Sequence, residues 1–369
     1  MNYVFLSYVN TPAFKRPEDW IKRIRGYFGV LEALSAQHKV ISIEQIDHTG
    51  EYRANGVVSY FLNYGPRIQR FPWGLHRFVR SLKPDIVVVH GLRFPLQVIL
   101  LRLALGGRAR IVLQAHADKL PAGWRKSLQR WADRSTNAYL FTSRVMGEEW
   151  VGKGLIRRDE KIRELMVGSS VLSGIPREAA RHKTGVTGDP VFVWAGRLDS
   201  NKDPFTLLEG FLGFAERHPG ARLYMIYQTE EWLPEIRTLL EKAGTTAVVL
   251  AGKVDHVEMG YWFSAADFVI STSHAEAFGL AVVEAMSCGC IPVITSIPSH
   301  QKITGGRCGL LFAPGDVPGL QKAMEQAVGM DLEEERRKVS RQFSEQLSFT
   351  AIAEQLAQIG DSLITSEIP

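Results

Sequence analysis

Apolar runs of strand length alternate with segments of helical periodicity along almost the whole chain. Four to eight consecutive apolar residues favour a buried strand, whereas apolar residues three and four positions apart favour an amphipathic helix. Regular alternation of the two is typical of βαβ units, in which helices cover a parallel sheet. The pattern therefore predicts an α/β protein with open parallel sheets.

The first half of the chain is expected to contain six strands and four helices. The strands are predicted over residues 3–9, 40–44, 85–90, 110–114, 138–142 and 161–166. The helices are predicted over residues 18–37, 73–82, 96–105 and 124–133. The aromatic stretch 52–65 has no clear period, so no element is assigned to it.

The second half repeats the design. Strands are predicted over residues 191–195, 222–227, 247–250, 267–271, 291–295 and 310–312. Helices are predicted over residues 203–217, 233–243, 258–264, 280–287 and 318–328, with a mostly helical tail over 333–363. Residues 174–190 are rich in Gly, Pro and charge, which is typical of a linker. A length of 369 residues also exceeds one ordinary domain, so we expect domains at 1–180 and 186–345.

Composition is that of a soluble globular protein, with 45% apolar and 22% charged residues. No apolar run is long enough for a transmembrane helix, and the N-terminus enters a strand pattern without the features of a signal peptide. The three cysteines, Cys288, Cys290 and Cys308, have no accompanying His or Cys cluster that would suggest a metal site. We expect buried, reduced thiols in a cytoplasmic protein.

Charge is distributed unevenly between the halves. Residues 1–180 hold 28 Lys and Arg against 15 Asp and Glu, whereas the remainder holds 16 against 24. A basic first half favours an anionic partner, such as a membrane surface or an acidic substrate. Oppositely charged faces that hold two domains together would give the same distribution, and the sequence leaves both interpretations open.

Several well-known signatures are absent from the sequence. It has no Walker A motif, no G-x-G-x-x-G, no H-E-x-x-H and no G-x-S-x-G. It also lacks the D-x-D pair with which many nucleotide-sugar enzymes hold a divalent metal. We therefore expect neither a bridging metal nor a cofactor.

A basic pair follows the first strand of the second half. The strand ends at Gly196, and Arg197 and Lys202 come directly after it. The carboxyl ends of parallel strands are where open sheets bind ligands. An Arg fork and a Lys point charge together suit a diphosphate, although a basic pair in a loop is more often simply solvated.

Two carboxylates, Glu276 and Glu284, flank a small-residue turn at 277–279 that opens the predicted helix 280–287. The first amides of a helix have no partner within it and bind anions. Two acids in one pocket also occur in glycosidases, but the cations and the helix start favour an anionic ligand. A structural interpretation makes Glu276 a partner of the helix dipole and Glu284 an exposed surface residue.

Two further loops follow predicted strands. His116 begins the loop after 110–114, although a lone histidine there is more often structural. Lys253 and Val254 follow the strand 247–250, where their backbone could contact the edge of a nucleobase.

Together these residues resemble the retaining glycosyltransferases of family 4, which have the GT-B fold of two Rossmann-like domains facing a central cleft. The resemblance rests on A-G-R-L at 195–198 with Lys202 beyond it, and on E-A-F-G-L-A-V-V-E-A-M-S-C-G-C-I-P-V-I at 276–294. It is dense over 191–314. In the first half it is looser and rests on K-P-D-I-V-V-V-H at 83–90, H-A-D at 116–118 and F-T-S at 141–143.

The resemblance implies a role for each matching residue. Arg197 and Lys202 would hold the diphosphate of a nucleotide-sugar, Glu276 would contact the sugar and Glu284 the ribose. His116 would lie beside the sugar from the N-terminal domain. The catalytic set is then Glu276, His116, Arg197 and Lys202. The donor-binding set is Gly196, Arg197, Lys202, Lys253, Val254, Glu276, Ala277, Phe278, Gly279, Leu280 and Glu284.

The resemblance also implies metal independence and a last helix, within about 346–369, that returns to the N-terminal domain. Two loops depart from the family pattern. Residues 9–13 replace a glycine pair, and residues 296–299 replace a glycine-rich turn. The contribution of both loops to donor binding is therefore an open question.

The function that follows is transfer of a hexose-type sugar, with retention, from a UDP- or GDP-sugar to a glycan or glycolipid acceptor, in bacterial polysaccharide biosynthesis. The alternatives are a sugar-nucleotide epimerase of the same fold, a phosphorylase and a non-catalytic nucleotide-sugar-binding subunit.

Basic, aromatic helices at 20–25 and 124–134 add a hypothesis of peripheral contact with an anionic membrane, at the inner face of that membrane. The aromatic residues of these two helices could instead belong to the core. No nucleic-acid partner is expected.

Overall fold

The computed structural model describes residues 1–65, 70–116 and 118–365, and the chain divides into two compact units. The first unit comprises Met1–Ser169 and Phe349–Pro369, and the second comprises Ser170–Ser348. Each contains a largely parallel sheet with helices on both faces. The predicted α/β class with two Rossmann-like sheets is confirmed.

The first unit contains an eight-stranded sheet in the order β3-β4-β2-β1-β5-β6-β7-β8. All neighbouring strands are parallel except β3 and β4. The strands are β1 (Asn2–Thr11), β2 (Lys39–Ile46), β3 (Gly50–Ala54), β4 (Val57–Leu62), β5 (Ile86–His90), β6 (Arg110–Gln114), β7 (Ala138–Phe141) and β8 (Ile162–Glu164). Four of the five residues of β5 are buried, as expected for a central strand of a parallel sheet.

Among the described residues, the first unit has seven α-helices. They are α1 (Pro17–Arg23), α2 (Arg25–Ser35), α3 (Trp73–Ser81), α4 (Pro95–Leu105), α5 (Trp124–Ser135), α6 (Arg144–Gly152) and the last helix of the chain, Phe349–Thr365. Helices α3, α4 and α5 share a hydrophobic core with β5, β6 and β7. None of the described helices is long and apolar enough to span a bilayer.

The second unit contains a six-stranded, all-parallel sheet in the order β11-β10-β9-β12-β13-β14. The strands are β9 (Val191–Gly196), β10 (Arg222–Tyr227), β11 (Val248–Gly252), β12 (Phe268–Ser271), β13 (Ile291–Thr295) and β14 (Leu310–Phe312). The helices are α7 (Arg177–Thr184), α8 (Pro204–Ala215), α9 (Leu233–Ala243), α10 (Met259–Ala265), α11 (Leu280–Ser287), α12 (Pro298–Thr304), α13 (Val317–Val328) and α14 (Leu332–Gln342). In chain order the last helix, Phe349–Thr365, is α15. A π-helical turn, Phe343–Leu347, lies between α14 and α15.

The stretch at residues 52–65, for which the periodicity predicted no element, contains most of a β-hairpin. Strands β3 and β4 pair antiparallel around Asn55 and Gly56, whose φ angles are 48° and 84°. Two positive φ angles define the type I′ turn that suits a two-residue hairpin. Side chains of β4 alternate between buried and half-buried, so the strand period was present but hidden by its aromatic composition.

Other boundaries differ from the prediction for local reasons. The helix expected at 18–37 is two helices, because the backbone leaves the helical region at Ile24 (φ −100°, ψ 18°). Residues 10 and 11, expected as part of a loop, continue β1. The segment expected as a linker, 174–190, lies in the second unit and contains α7, which packs against α10. Helices α6 and α12 received no prediction.

Helix α15 packs on the first unit at two glycines. A Cβ at Gly360 would lie 2.0 Å from the Tyr3 hydroxyl and 2.8 Å from Ile86 Cδ1. A Cβ at Gly29 of α2 would lie 2.6 Å from the ring of Phe349. The absence of both Cβ atoms therefore lets the last helix approach β1 and α2 closely.

We predict that Gly360→Ala lowers the free energy of unfolding by about 1–3 kcal/mol, the usual cost of overpacking a core. Tyr3 is fully buried and cannot move away without displacing its neighbours. Urea denaturation followed by tryptophan fluorescence measures the change.

The matched control is Gly74→Ala in α3, where no atom lies within 4 Å of the added Cβ. Alanine is the better helix former, so this variant should be unchanged or more stable by up to about 1 kcal/mol. Equal stability of the two variants would show that α15 does not pack as described.

Candidate functional site

The site in the second unit lies where the order of strands reverses. From β9 the chain proceeds outwards to β10 and β11 on one side, and from β12 to β13 and β14 on the other. The loops that follow β9 and β12 therefore diverge from two adjacent strand ends. Open parallel sheets bind ligands in the crevice at such a point.

Asn201 ties these two loops together. Its side-chain amide donates to the carbonyl of Ala275 (3.0 Å), and its side-chain oxygen accepts from the Ala275 amide (3.1 Å). The Asn201 carbonyl also accepts from the His274 amide at 2.8 Å. The Thr272 hydroxyl donates to the Lys202 carbonyl at 2.7 Å. Four hydrogen bonds thus fix the β9 loop against the β12 loop.

These four hydrogen bonds bring two predicted site residues into contact. The Lys202 ammonium donates to the Glu276 carboxylate. Both side chains are mostly buried, with 21% and 15% of their surface exposed. An ammonium group has three donors, so one bond to Glu276 leaves two for a further anion. Glu276 therefore compensates the charge of Lys202, and the ammonium can still donate to a bound anion.

Arg197 lies in the same loop after β9, and its side chain is 60% exposed. Asp199 contacts both basic residues, because one carboxylate oxygen lies 3.1 Å from the Arg197 guanidinium and the other accepts from the Lys202 backbone amide (3.0 Å). Gly196 leaves room for this turn, since a Cβ there would lie 2.9 Å from the Trp194 ring. The exposed guanidinium remains accessible to an anion.

Helix α11 begins directly after Gly279, whose φ of 73° and tight surroundings require glycine. A Cβ at this position would lie 2.9 Å from Ile303 Cδ1 and 3.5 Å from His300 Nε2. The first helical residue is Leu280, so the free amides start there rather than at residue 277. The predicted helix, 280–287, is thus confirmed, and only its unpaired amides begin later than the expected residues 277–279.

His300 supports this helix start from beneath. Thr295 donates its hydroxyl to the Ser273 carbonyl, so the His300 Nδ1–H donates to the Thr295 carbonyl at 3.0 Å. The Nε2 atom is then an acceptor, and it has no hydrogen-bond partner. Burial lowers the pKa of His300 to about 4, which keeps the imidazole neutral.

Glu284 lies on the second turn of α11, and it is buried rather than a surface residue. Its carboxylate contacts His256 Nε2 at 2.6 Å. That hydrogen bond raises the pKa of His256, which is half exposed. His256 belongs to the loop after β11, together with the predicted Lys253 and Val254, so the structure connects this loop to Glu284.

The remaining predicted residue, His116, is in the first unit, at the end of β6. Its Nε2 lies 3.0 Å from His90 Nδ1, and His90 Nε2 lies 2.7 Å from the Tyr27 hydroxyl. The His116 amide donates to Asp118 at 2.9 Å. Burial and the neighbouring imidazole hold the pKa of His90 well below its usual range, so the link between Tyr27 and His116 is a neutral histidine.

Several residues that build these contacts carried no motif signal. Asn201, Asp199, His274 and His256 act through tertiary contacts, and only their positions just after strand ends could have indicated them. Asp203, the N-cap of α8, accepts from His274 Nε2 at 3.0 Å. Among residues 1–65, 70–116 and 118–365, no group of three or more metal-ligating side chains lies close enough together to hold a metal ion.

Two family models match the chain. The model described as Glycosyl transferases group 1 matches residues 176–346, and the one described as Glycosyltransferase Family 4 matches residues 30–163. The first match covers the loops after β9 and β12 and helix α11. The second covers β5, β6 and His116.

Individual relatives agree with the family models. A glycogen synthase of Mycobacterium tuberculosis is 26% identical over 279 residues, which are 70% of this chain and 63% of the relative. A glycosyltransferase of Rickettsia africae superimposes with a TM-score of 0.74 at 14% identity, over 99% of this chain and 100% of the other. Anabaena HepE in complex with UDP gives a TM-score of 0.69 at 15% identity, over 98% and 100%.

The chain spans between 34% and 63% of the length of the first curated relatives that it matches. At 14–15% identity the solved structures establish the fold alone.

We predict that Glu284→Gln lowers the pKa of His256, because the carboxylate that favours the imidazolium is removed. In the wild type, the folded-state pKa is raised above the unfolded one. The contact therefore stabilises the fold at pH values below the unfolded pKa, and this contribution is lost as pH rises through the folded pKa. Histidine ring resonances followed by NMR across pH 5–9 measure the shift, and an unchanged His256 pKa in the variant would contradict the contact.

Proposed function

The chain belongs to the family-4 glycosyltransferases with the GT-B fold, and from this premise we propose that it transfers a hexose-type sugar, with retention, from a nucleoside diphosphate to a glycan or lipid-linked acceptor. One observation carries the proposal. Lys202 and Glu276, from loops that leave adjacent strand ends in opposite directions, are held in contact where a parallel sheet binds its ligand.

In this proposal the diphosphate binds between the two cations. Arg197 is exposed and forked, and the Lys202 ammonium keeps two donors beyond its bond to Glu276. The start of α11 after Gly279 adds amides to the same anion site. Positive charge at this point stabilises the leaving diphosphate, which is commonly the largest catalytic term in such sites.

The sugar and nucleoside are assigned to the groups around this anion site. Glu276 accepts hydrogen bonds from sugar hydroxyls, with residues 277–280 beside it. Glu284 accepts from the ribose hydroxyls, and its carboxylate is already positioned by His256. The backbone of Lys253 and Val254, in the loop that contains His256, contacts the base. His116, to which the family resemblance assigns the transferred sugar, lies in the first unit, and its ring is oriented by His90.

The proposed step is a same-face substitution. The bond between the anomeric carbon and the phosphate oxygen breaks, and the bond between that carbon and the acceptor oxygen forms on the same face. The acceptor proton moves to the departing phosphate oxygen, so the products are the glycoside and the nucleoside diphosphate. Arg197 and Lys202 supply the counter-charge, and we propose that no metal or cofactor takes part.

UDP is the first nucleotide to test, because the neighbour of similar fold from Anabaena was solved in complex with UDP. GDP is the second. Three free, buried cysteines are compatible with a reducing cytoplasm, which we include in the proposal as the location of the enzyme.

We predict that Arg197→Ala and Lys202→Ala each lower kcat/KM for the preferred nucleotide-sugar about 100-fold or more, the usual effect of losing one donor to the developing charge. A screen of UDP- and GDP-sugars by thermal shift identifies the donor, and release of nucleoside diphosphate measures the rate. The anomeric configuration of the product is read by NMR.

The matched control is Arg217→Ala. Arg217 is another basic residue of the second unit, lies just after α8 and pairs with Glu325 of α13. This variant should retain the wild-type rate. Unchanged kcat/KM in both site variants would rule out the assignment. Formation of an epimerised nucleotide-sugar in the absence of acceptor would show that the enzyme is an epimerase rather than a glycosyltransferase.

Membrane contact is a second part of the proposal, and the structure favours one of the two predicted helices. Trp20 of α1 is half-buried and packs edge-on against Phe14 at 5.1 Å. In α5, by contrast, Trp124 and Trp131 are 71% and 63% exposed. They lie seven positions apart and so share one face of the helix. We therefore assign the contact to α5.

The charges of α5 suit an anionic bilayer. Its four basic side chains are Arg125, Lys126, Arg130 and Arg134. Its single acid, Asp133, is buried against Lys161. Exposed indoles flanked by cations are typical of helices that lie in the membrane interface.

We predict that Trp124→Ala/Trp131→Ala at least halves the fraction of protein that sediments with vesicles containing about 30% phosphatidylglycerol. Each basic residue near such a surface contributes about 1 kcal/mol, so added salt should lower the sedimented fraction of the wild type as well. Val257→Ala/Leu311→Ala removes two exposed apolar side chains of the second unit and should have no effect. Wild-type protein that stays in the supernatant at low salt would exclude the contact.

A further inference from the structure

A cavity of about 550 Å³ in the first unit is lined by four basic side chains and no acidic one. Arg77 and Arg80 come from α3, Lys83 from the turn that follows it, and Arg108 from the turn after α4. The rest of the lining is Ser81, Pro84, Leu105 and Ala109.

This cavity is separate from the part of the proposed glycosyl-transfer site that lies in the first unit. Pro84 and Ala109 precede β5 and β6, so the cavity lies at the amino ends of these strands. His90 and His116 lie at the carboxyl ends of the same strands. A five-residue strand is about 13 Å long, which sets the separation of the two regions.

The four cations are not neutralised by the protein. Within the described residues, none of them forms an ion pair or a side-chain hydrogen bond. The acid nearest in sequence, Asp85, is engaged by the amide of Asn2 at 2.7 Å. Four uncompensated cations around one cavity repel each other, and an anion between them would remove that cost.

The turn that carries Lys83 is held in an uncommon conformation. Lys83 has a φ of 52°, which is unfavourable for a residue with a Cβ. The Asn2 side chain fixes the turn by donating to the carbonyls of Leu82 (2.7 Å) and Lys83 (3.0 Å). Such strain is maintained only where the surrounding structure imposes it.

We propose that this cavity binds a phosphate group. Three guanidinium forks and one ammonium match the oxygens of a phosphate or a diphosphate better than those of a single carboxylate. The phosphate of a membrane lipid and a free phosphate share this chemistry. Trp73 favours the lipid, because it is 53% exposed and lies on the same face of α3 as Arg77 and Arg80.

The test is calorimetric titration of the full chain with pyrophosphate. The wild type is compared with Arg80→Gln/Arg108→Gln and with the charge-matched control Lys22→Gln/Arg23→Gln on α1. We expect the cavity variant to lose one site per chain, or to weaken that site at least about tenfold, and the control to keep it. The difference does not depend on whether the transfer site also binds pyrophosphate, so failure of the proposed function leaves this test intact.

A second cavity variant, Arg77→Gln/Lys83→Gln, replaces the first if that one fails to fold. Equal stoichiometry and affinity for the wild type, the cavity variant and the control would overturn the proposal.

Vesicles distinguish the two sources of the phosphate. With vesicles containing phosphatidylglycerol, a lower sedimented fraction for Arg80→Gln/Arg108→Gln than for the control supports a lipid phosphate. An effect on pyrophosphate binding without an effect on sedimentation supports a soluble phosphate.

Discussion

The contact between Lys202 and Glu276 is the interaction on which the candidate site depends. A carboxylate that is largely withdrawn from water needs a counter-charge, and Lys202 can supply it only if the two loops stay together. Asn201 provides this by bonding both backbone groups of Ala275. The site is therefore held together by the hydrogen bonds of Asn201 to the Ala275 backbone as well as by the ion pair. A bound anion would partly take the place of Glu276 in that ion pair.

This arrangement requires the strand order of the second unit. Because β9 and β12 are neighbours although three helices and two strands separate them in sequence, their loops leave the same edge in opposite directions. Helix α11 then starts at that edge, with Gly279 over His300 and Ile303. The loop after β11 reaches Glu284 through His256. In the proposed function, these three contacts place the diphosphate, the sugar and the ribose side by side.

Long buried strands and strongly periodic helices were predictable from the sequence, because their pattern reflects burial directly. The β3–β4 hairpin was missed although Asn55-Gly56 is a strong turn signal, since aromatic residues obscured the alternation. The break at Ile24 has no sequence marker. Among the candidate site residues, Glu276 and Lys202 could be predicted from a motif. Asn201 and His256 could not, since they act only through contacts with residues 74 and 28 positions away.

The most direct test of the central claim is the affinity for UDP and GDP, measured by isothermal titration on the wild type and on Asn201→Ala. Asn201 is assigned no contact with the nucleotide, and its side chain bonds only the Ala275 backbone. We expect the wild type to bind one of the two nucleotides and Asn201→Ala to bind it at least about tenfold more weakly, because Lys202 loses its position. Equal affinities, or no binding of either nucleotide to the wild type, would contradict the account.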